Sequence, residues 1–220
     1  MTQPWELSAV EALEAFRDKS LAPSELLDSI RQRIETIDSA GHEPINAITE
    51  VLENAAEATK QADQYYAEGQ TEPIGTGTLA LMGLPVVTKE KHFIAGHTIS
   101  EGLQSRADEI AQVSHPIIER IQSAGGVIAA RTTSPEFSCA TVTHSPQWGV
   151  TRNPWNTHYA PGGSSGGAGA ALAAGYAPLA TASDIAGSTR IPAGYNGVVG
   201  YKAPYGRVPG AGPMASDWYR

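Results

Sequence analysis

The stretch "PGGSSGGAGAALAAG", Pro161 to Gly175, sets two adjacent hydroxyls, Ser164 and Ser165, in a run of glycines. Four readings fit such a composition. A flexible linker needs polar, structureless flanks, yet "AGAALAAGYA" follows directly and is built of small residues, many of them good helix formers. A glycine-rich turn at a helix N-terminus can offer N–H groups to a phosphate. Here, however, the Gly-Lys-Ser/Thr ending of a P-loop is missing, as is the dinucleotide spacing with its later acid. Gly162-Gly163-Ser164-Ser165-Gly166 satisfies G-x-S-x-G, the pattern of a nucleophile elbow, whose acid and histidine must follow in the chain. The histidines are His42, His92, His97, His115, His144 and His158, and all precede Ser164, so the elbow reading fails. The fourth reading is a serine activated by a lysine.

Ordered elements must carry this loop. Residues 8–17 read as a helix, with Ser8 and Glu11 in capping-box spacing and Val10, Leu13 and Phe16 on one face. A second helix starts at Pro23, a good first-turn residue, and presents Leu26, Leu27, Ile30 and Ile34 as its apolar stripe. Gly41 to Pro44 breaks the pattern, and residues 50–68 read as a third, more polar, surface helix. From Gly69 the texture changes. "GTGTLALMGLPVVTKEKHFIAG" reads as one or two strands, "HPIIERIQSAGG" as a short helix ended by Gly125, and "VIAARTT" as a buried strand. Residues 134–163 read as a long ordered loop. The whole predicts one α/β domain with a mixed β-sheet flanked by helices. Its helical N-terminal region covers about residues 1–68 and its α/β core about 69–220.

Composition narrows the function classes. The 220 residues are 41 % hydrophobic and 17 % charged, which suits a core-building chain and not a disordered one. A net charge of −8 without a basic stripe argues against a nucleic-acid partner. No window approaches the apolar length of a membrane span, and the N-terminus lacks a secretory pattern, so the reading is cytoplasmic with no membrane partner. The single cysteine, Cys139, allows neither an internal disulfide nor a cysteine-based zinc site, and it reads as a small packed residue near the substrate side. No cofactor and no metal is implied. His92, His97, His144 and His158 read as loop or surface histidines.

The segment "GGSSGGAGAALAAGYAPLATASDIAGSTRIPAGYNGVVGYK" resembles the amidase signature family of serine amide hydrolases. "GLPVVTKEK" is similar to that family's Gly-Ile/Leu-Pro strand with its lysine, and "GVTRNPWN" to its Gly-x-Thr-x-Asn-Pro-Trp segment. The helical "SELLDSIRQRIETID" and "INAITEV" are similar to its N-terminal region, so the resemblance covers nearly the whole chain. It implies a Ser–cis-Ser–Lys triad of Ser188 as nucleophile, Ser164 as the bridging serine and Lys89 as base. Such a lysine works only when neutral, a state favoured by burial and nearby cations. The resemblance also implies an oxyanion hole formed by the N–H groups of Ile185, Ala186, Gly187 and Ser188. Ser165 would support the site. Asp184 and Arg190 would be a structural pair fixing the nucleophile loop, and Ser188 could double as a helix N-cap. The implied reaction acylates Ser188 with a linear amide, releases an amine or ammonia, and then admits water.

This sequence departs from the family pattern in several places. Ala186 stands where glycine is usual, tolerable if its φ is negative. Glu90-Lys91-His92 replaces Asp-Asn-Ile/Val, and in an extended chain Lys91 would share a face with Lys89 and lower its pKa. "GHTISEG" replaces the usual loop, and Asn196 replaces a common cysteine with little expected effect. Family members are about twice as long. That difference implies a chain lacking the C-terminal part of the fold: a fragment, one chain of a processed pair, or a truncated product. Partners would then be a small amide substrate and either a missing C-terminal chain or a second copy. Two other readings stand beside hydrolysis: an amidotransferase component releasing ammonia for a partner, and a non-catalytic amidase-like fragment acting by protein interaction.

Overall fold

A computed structural model describes residues 2–39, 43–71, 73 and 76–209. The break read at Gly41 and the final "GAGPMASDWYR" lie, wholly or in part, outside the described residues.

The capping box forms at the start of α1 (Ala9–Asp18): Glu11 N–H donates to Ser8 Oγ at 3.3 Å, and Ser8 N–H to Glu11 Oε2 at 2.8 Å. Leu13 and Phe16 are buried as the periodicity requires, but Val10 points to solvent at 53 % exposure, one position off the buried stripe. Helix α2 (Pro23–Ser39) buries Leu26, Leu27 and Ile30 and half-buries Ile34. Phe16, Leu26 and Ile30 meet Tyr66 of α3 (Ala55–Ala67) and Leu84 in one cluster. The third helix is shorter than its sequence suggests. Residues 48–51 form a strand instead, β1 (Ile48–Val51), because three of the four, Ile48, Thr49 and Val51, are β-branched and they pair with the sheet.

Three further strands complete a four-stranded sheet: β2 (Pro85–Lys89), β3 (Val127–Thr132) and β6 (Leu179–Ala180). Their order across the sheet is β1-β3-β2-β6. Strand β2 lies parallel to both β3 and β6, while β1 runs antiparallel to β3, so the sheet is mixed. Of the residues around β2 read as one or two strands, only 85–89 are extended; 76–83 form turns that stack Leu81 and Met82 on the α1–α3 cluster. Helix α4 (Pro116–Ser123) covers one face through Ile118 against Val86 and Ile128. On the other face α5 (Gly166–Ala173) sets Ala170 and Ala171 on Val87 and Ala130. This two-residue alternation decides the site: Lys89 follows Val87 by two positions, so its side chain leaves the strand on the α5 side. The stretch 134–163 is irregular apart from a two-stranded ribbon, β4 (His144–Ser145) with β5 (Gly149–Val150), and a single 3₁₀ turn. Helix α6 (Arg190–Asn196) packs on α5.

Every residue of "PGGSSGGAGA" is buried, which ends the linker reading. A β-carbon on Gly163 would lie 2.7 Å from Ala140 O and Val142 N, and one on Gly167 would lie 2.6 Å from Thr133 N and O. These glycines are required by close backbone approach and not by flexibility. Among the described residues no helix is long and apolar enough to cross a membrane.

Candidate active site

Lys89 is fully buried at the C-terminal end of β2. Its Nζ lies 2.7 Å from Ser164 Oγ, 3.0 Å from Ser165 Oγ and 3.1 Å from Ser183 Oγ. The peptide bond between Gly163 and Ser164 is cis, and Ser165 occupies the N-cap position of α5. Burial, and secondarily the positive charge of Lys91, holds the Lys89 ammonium well below the ordinary lysine range. Strand β2 ends at Lys89 and the chain turns there, with His92 N–H donating to Lys89 O at 2.8 Å. Lys91 therefore acts from a turn and not from the same strand face.

The hydroxyl protons around Nζ can be assigned by what each oxygen faces. Ser165 Oγ accepts from Ser183 N–H at 3.3 Å and directs its proton toward Ser183 O at 3.4 Å, so toward the amine it is an acceptor. A neutral amine has two N–H donors and one lone pair. Ser164, the nearest hydroxyl, is the one whose proton can face that lone pair.

Ser188 belongs to the neighbouring loop. Ser165 N–H donates to Ser188 O at 3.2 Å, which seats residues 184–189 against the serine loop. Thr189, and not Ser188, occupies the N-cap position of α6. The Asp184–Arg190 pair forms: Arg190 Nε and Nη2 each donate to the carboxylate at 2.9 Å. The guanidinium, with the Gly187, Thr189 and Arg190 N–H groups, holds the Asp184 carboxyl well below the usual carboxylate range. One part of the oxyanion reading needs correction. Gly187 N–H is committed to Asp184 Oδ1 at 2.8 Å, so it does not face the cleft as a spare donor. The N–H groups of Ile185, Ala186 and Ser188 make no hydrogen bond among the described residues. Ala186 is not among the non-glycine residues with positive φ, so its methyl group sits there without backbone strain, while Gly187 takes φ of 111°.

An open cleft exposes these groups. Cys139, Val142, Ser164, Ser183, Ile185 and Ser188 line it. Cys139 is exposed and not packed, because the 137–139 turn carries Phe137 and Ser138 at positive φ and swings the thiol outward. His92 is also unlike its reading: it is buried, and its Nδ1 lies 2.8 Å from Thr181 Oγ1. Asn196 is fully buried and donates to Pro161 O at 2.7 Å and Pro192 O at 2.8 Å, which ties the serine loop to α6. Arg131 lies buried behind the turn and donates to Glu90 O at 2.7 Å and Thr98 O at 2.6 Å. Glu90 in turn accepts from Ser100 N–H at 2.6 Å, so the "GHTISEG" loop is pinned to the residue after Lys89. Ser183 and Thr181 escaped the sequence reading, and Glu90 entered it only as a departure from the family pattern. The one available signal was a charged side chain, Arg131, inside an otherwise apolar strand. Among the described residues no group of three or more histidine, cysteine or carboxylate side chains could hold a metal ion.

A serine-rich loop at a helix start faces a buried lysine on a parallel strand, and the chain belongs to the amidase family, whose profile it matches over residues 25–217. It is 35 % identical over 211 residues to the A-type component of a glutamyl-tRNA(Gln) amidotransferase from Brachyspira hyodysenteriae, covering 96 % of this chain and 42 % of that protein. It is 34 % identical over 207 residues to an indoleacetamide hydrolase of Bradyrhizobium diazoefficiens, covering 93 % of this chain and 37 % of that protein. A bacterial aryl acylamidase of the amidase signature family superposes with a TM-score of 0.75 at 29 % identity, over 85 % of this chain and 37 % of that one. The chain thus spans about two fifths of the length of the relatives it matches.

Proposed function

We propose that this site hydrolyses a carboxamide C–N bond through a seryl acyl-enzyme. The observation that carries the reading is the 2.7 Å contact between the buried Lys89 Nζ and Ser164 Oγ. Neutral Lys89 takes the Ser164 proton as Ser164 takes that of Ser188. Ser188 Oγ then attacks the carbonyl carbon, and the developing oxyanion is met by the Ile185, Ala186 and Ser188 N–H groups. The proton held by Lys89 returns through Ser164 to the leaving nitrogen, and water repeats the sequence on the ester. Ser165 and Ser183 hold Nζ in place throughout. The substrate is a linear amide, and the setting is cytoplasmic. A second reading, ammonia release for a partner protein, is favoured by the likeness to the A-type components of amidotransferases.

The test is intact mass before and after a fluorophosphonate probe, with peptide mapping. The expected result is one adduct on Ser188, abolished in Lys89→Met. A folded protein that takes no label, or takes it elsewhere, would overturn the reading for this chain.

A further inference from the structure

We propose that His92 is a positioning residue for Lys89, acting through the Thr181 hydroxyl. Thr181 follows the last residue of β6 and extends the pairing with β2: its N–H donates to Val87 O at 3.0 Å, and its Oγ1 accepts from Lys89 N–H at 3.0 Å. The hydroxyl then has one proton left to place. His92 Nδ1 lies 2.8 Å away and is its acceptor. That assignment puts the imidazole proton on Nε2 and leaves Nδ1 with a free lone pair.

The surroundings favour a neutral ring. His92 is buried, with its centroid 5.0 Å from that of His115, whose Nδ1 accepts the Ile117 N–H at 3.1 Å at the start of α4. The titratable groups that act on it are Lys89 at the end of β2, Lys91 on the turn, and His115 at the N-cap of α4, all basic. The nearest carboxylate on the turn, Glu90, is turned away to Ser100 and Glu101. Burial first, then His115 and the two lysines, holds the His92 imidazolium far below its ordinary range. A neutral acceptor is what a threonine proton needs. The relay fixes the main chain of Lys89 at the atom from which its side chain departs. A small rotation there would swing Nζ away from its three hydroxyl partners.

The inference rests on the proposed role of Lys89, so its test has two separate readouts. The first is the tautomer of His92 by nitrogen-15 NMR of the labelled chain. Protonation at Nε2 alone is expected, and protonation at Nδ1 overturns the proposal. The second is the pH dependence of fluorophosphonate labelling. His92→Leu and Thr181→Val are expected to slow labelling about fivefold to tenfold, the worth of one lost hydrogen bond. They are also expected to move the rising limb of the profile to higher pH, as Nζ regains water. His92→Asn, whose side-chain oxygen can accept at the Nδ1 position, is expected to restore both. A folded His92→Leu with the limb unmoved, or no rescue by His92→Asn, overturns the proposal. If the parent chain takes no label, the hydrolytic reading fails, while the tautomer still decides whether His92 holds Thr181.

Discussion

Replacing Gly167 by alanine tests whether the glycine-rich loop is a packing device. The new β-carbon would sit 2.3 Å from Thr133 Oγ1 and 2.6 Å from Thr133 N and O. The hydroxyl can rotate away, but the backbone atoms cannot, because Thr133 N–H is bonded to Ala47 O at 3.0 Å. Relief requires α5 to move off the sheet, and Ser164 and Ser165 lead directly into its first turn. Overpacking of this kind costs about 1–3 kcal/mol, and contacts this short on fixed atoms belong at about 3 kcal/mol. Alanine regains about 1 kcal/mol of helix propensity, so the net loss is about 2 kcal/mol. With an m-value of about 2–3 kcal/mol/M, the urea midpoint falls by about 1 M. The assay is urea unfolding followed by circular dichroism. Gly194→Ala in α6, where a β-carbon meets nothing within 4 Å, is the control and is expected to be neutral or stabilising. A Gly167→Ala chain with an unchanged or higher midpoint would refute the packing argument and return the loop to a flexible role.

Three further outcomes follow from the site. Lys89 has a folded-state pKa below its unfolded one, so the unfolded chain binds more protons in that interval, and stability must rise with pH through it. Urea midpoints of the parent chain should therefore gain on those of Lys89→Met as pH rises toward the ordinary lysine range. A constant difference would contradict a depressed lysine. Asn196→Ala should cost about 1–3 kcal/mol by stranding the buried Pro161 carbonyl, read as a drop in thermal midpoint. A change within error would show that carbonyl to be satisfied otherwise. The Asp184 carboxyl is depressed, so its stabilisation is present above the ordinary aspartate range and is lost as pH falls through the lower folded value. Asp184→Asn should flatten that acid loss, and an acid-unfolding curve identical to the parent's would refute it.

The structure brings Lys89 to Ser164 and Ser165 and pairs Asp184 with Arg190, groupings that the resemblance implied from motifs within the sequence. Ser183, Thr181 and His92 were not legible in the sequence. Their importance arises from β2 lying beside β6, a pairing of segments some 90 residues apart that no local pattern encodes. Strand β1 was missed for a different reason: the β-branched Ile48, Thr49 and Val51 favour a strand, but they run straight into an alanine- and glutamate-rich helix that masks the boundary. Asn196 looked replaceable as a single letter, yet two buried carbonyls depend on it. Gly187 matched the oxyanion motif by position, while the hydrogen bond from its N–H to Asp184 is a fact of three-dimensional geometry.

The position of Lys89 at the end of an interior strand bears on how the chain acquires its structure. Its contacts to Ser164 and Ser183 close loops of 75 and 94 residues, whereas α1 and α2 form from neighbours in sequence. Loops of that size close slowly relative to local helix formation. Helical signal should therefore return first on dilution from denaturant, while the lysine remains hydrated and charged. Its ammonium is driven to give up its proton only once β6 and the serine loop have closed over it. Between the folded and the ordinary value of the Lys89 ammonium, completion of folding is thus accompanied by proton release, and a pH indicator in weak buffer in that interval would time the birth of the site separately from the birth of the helices.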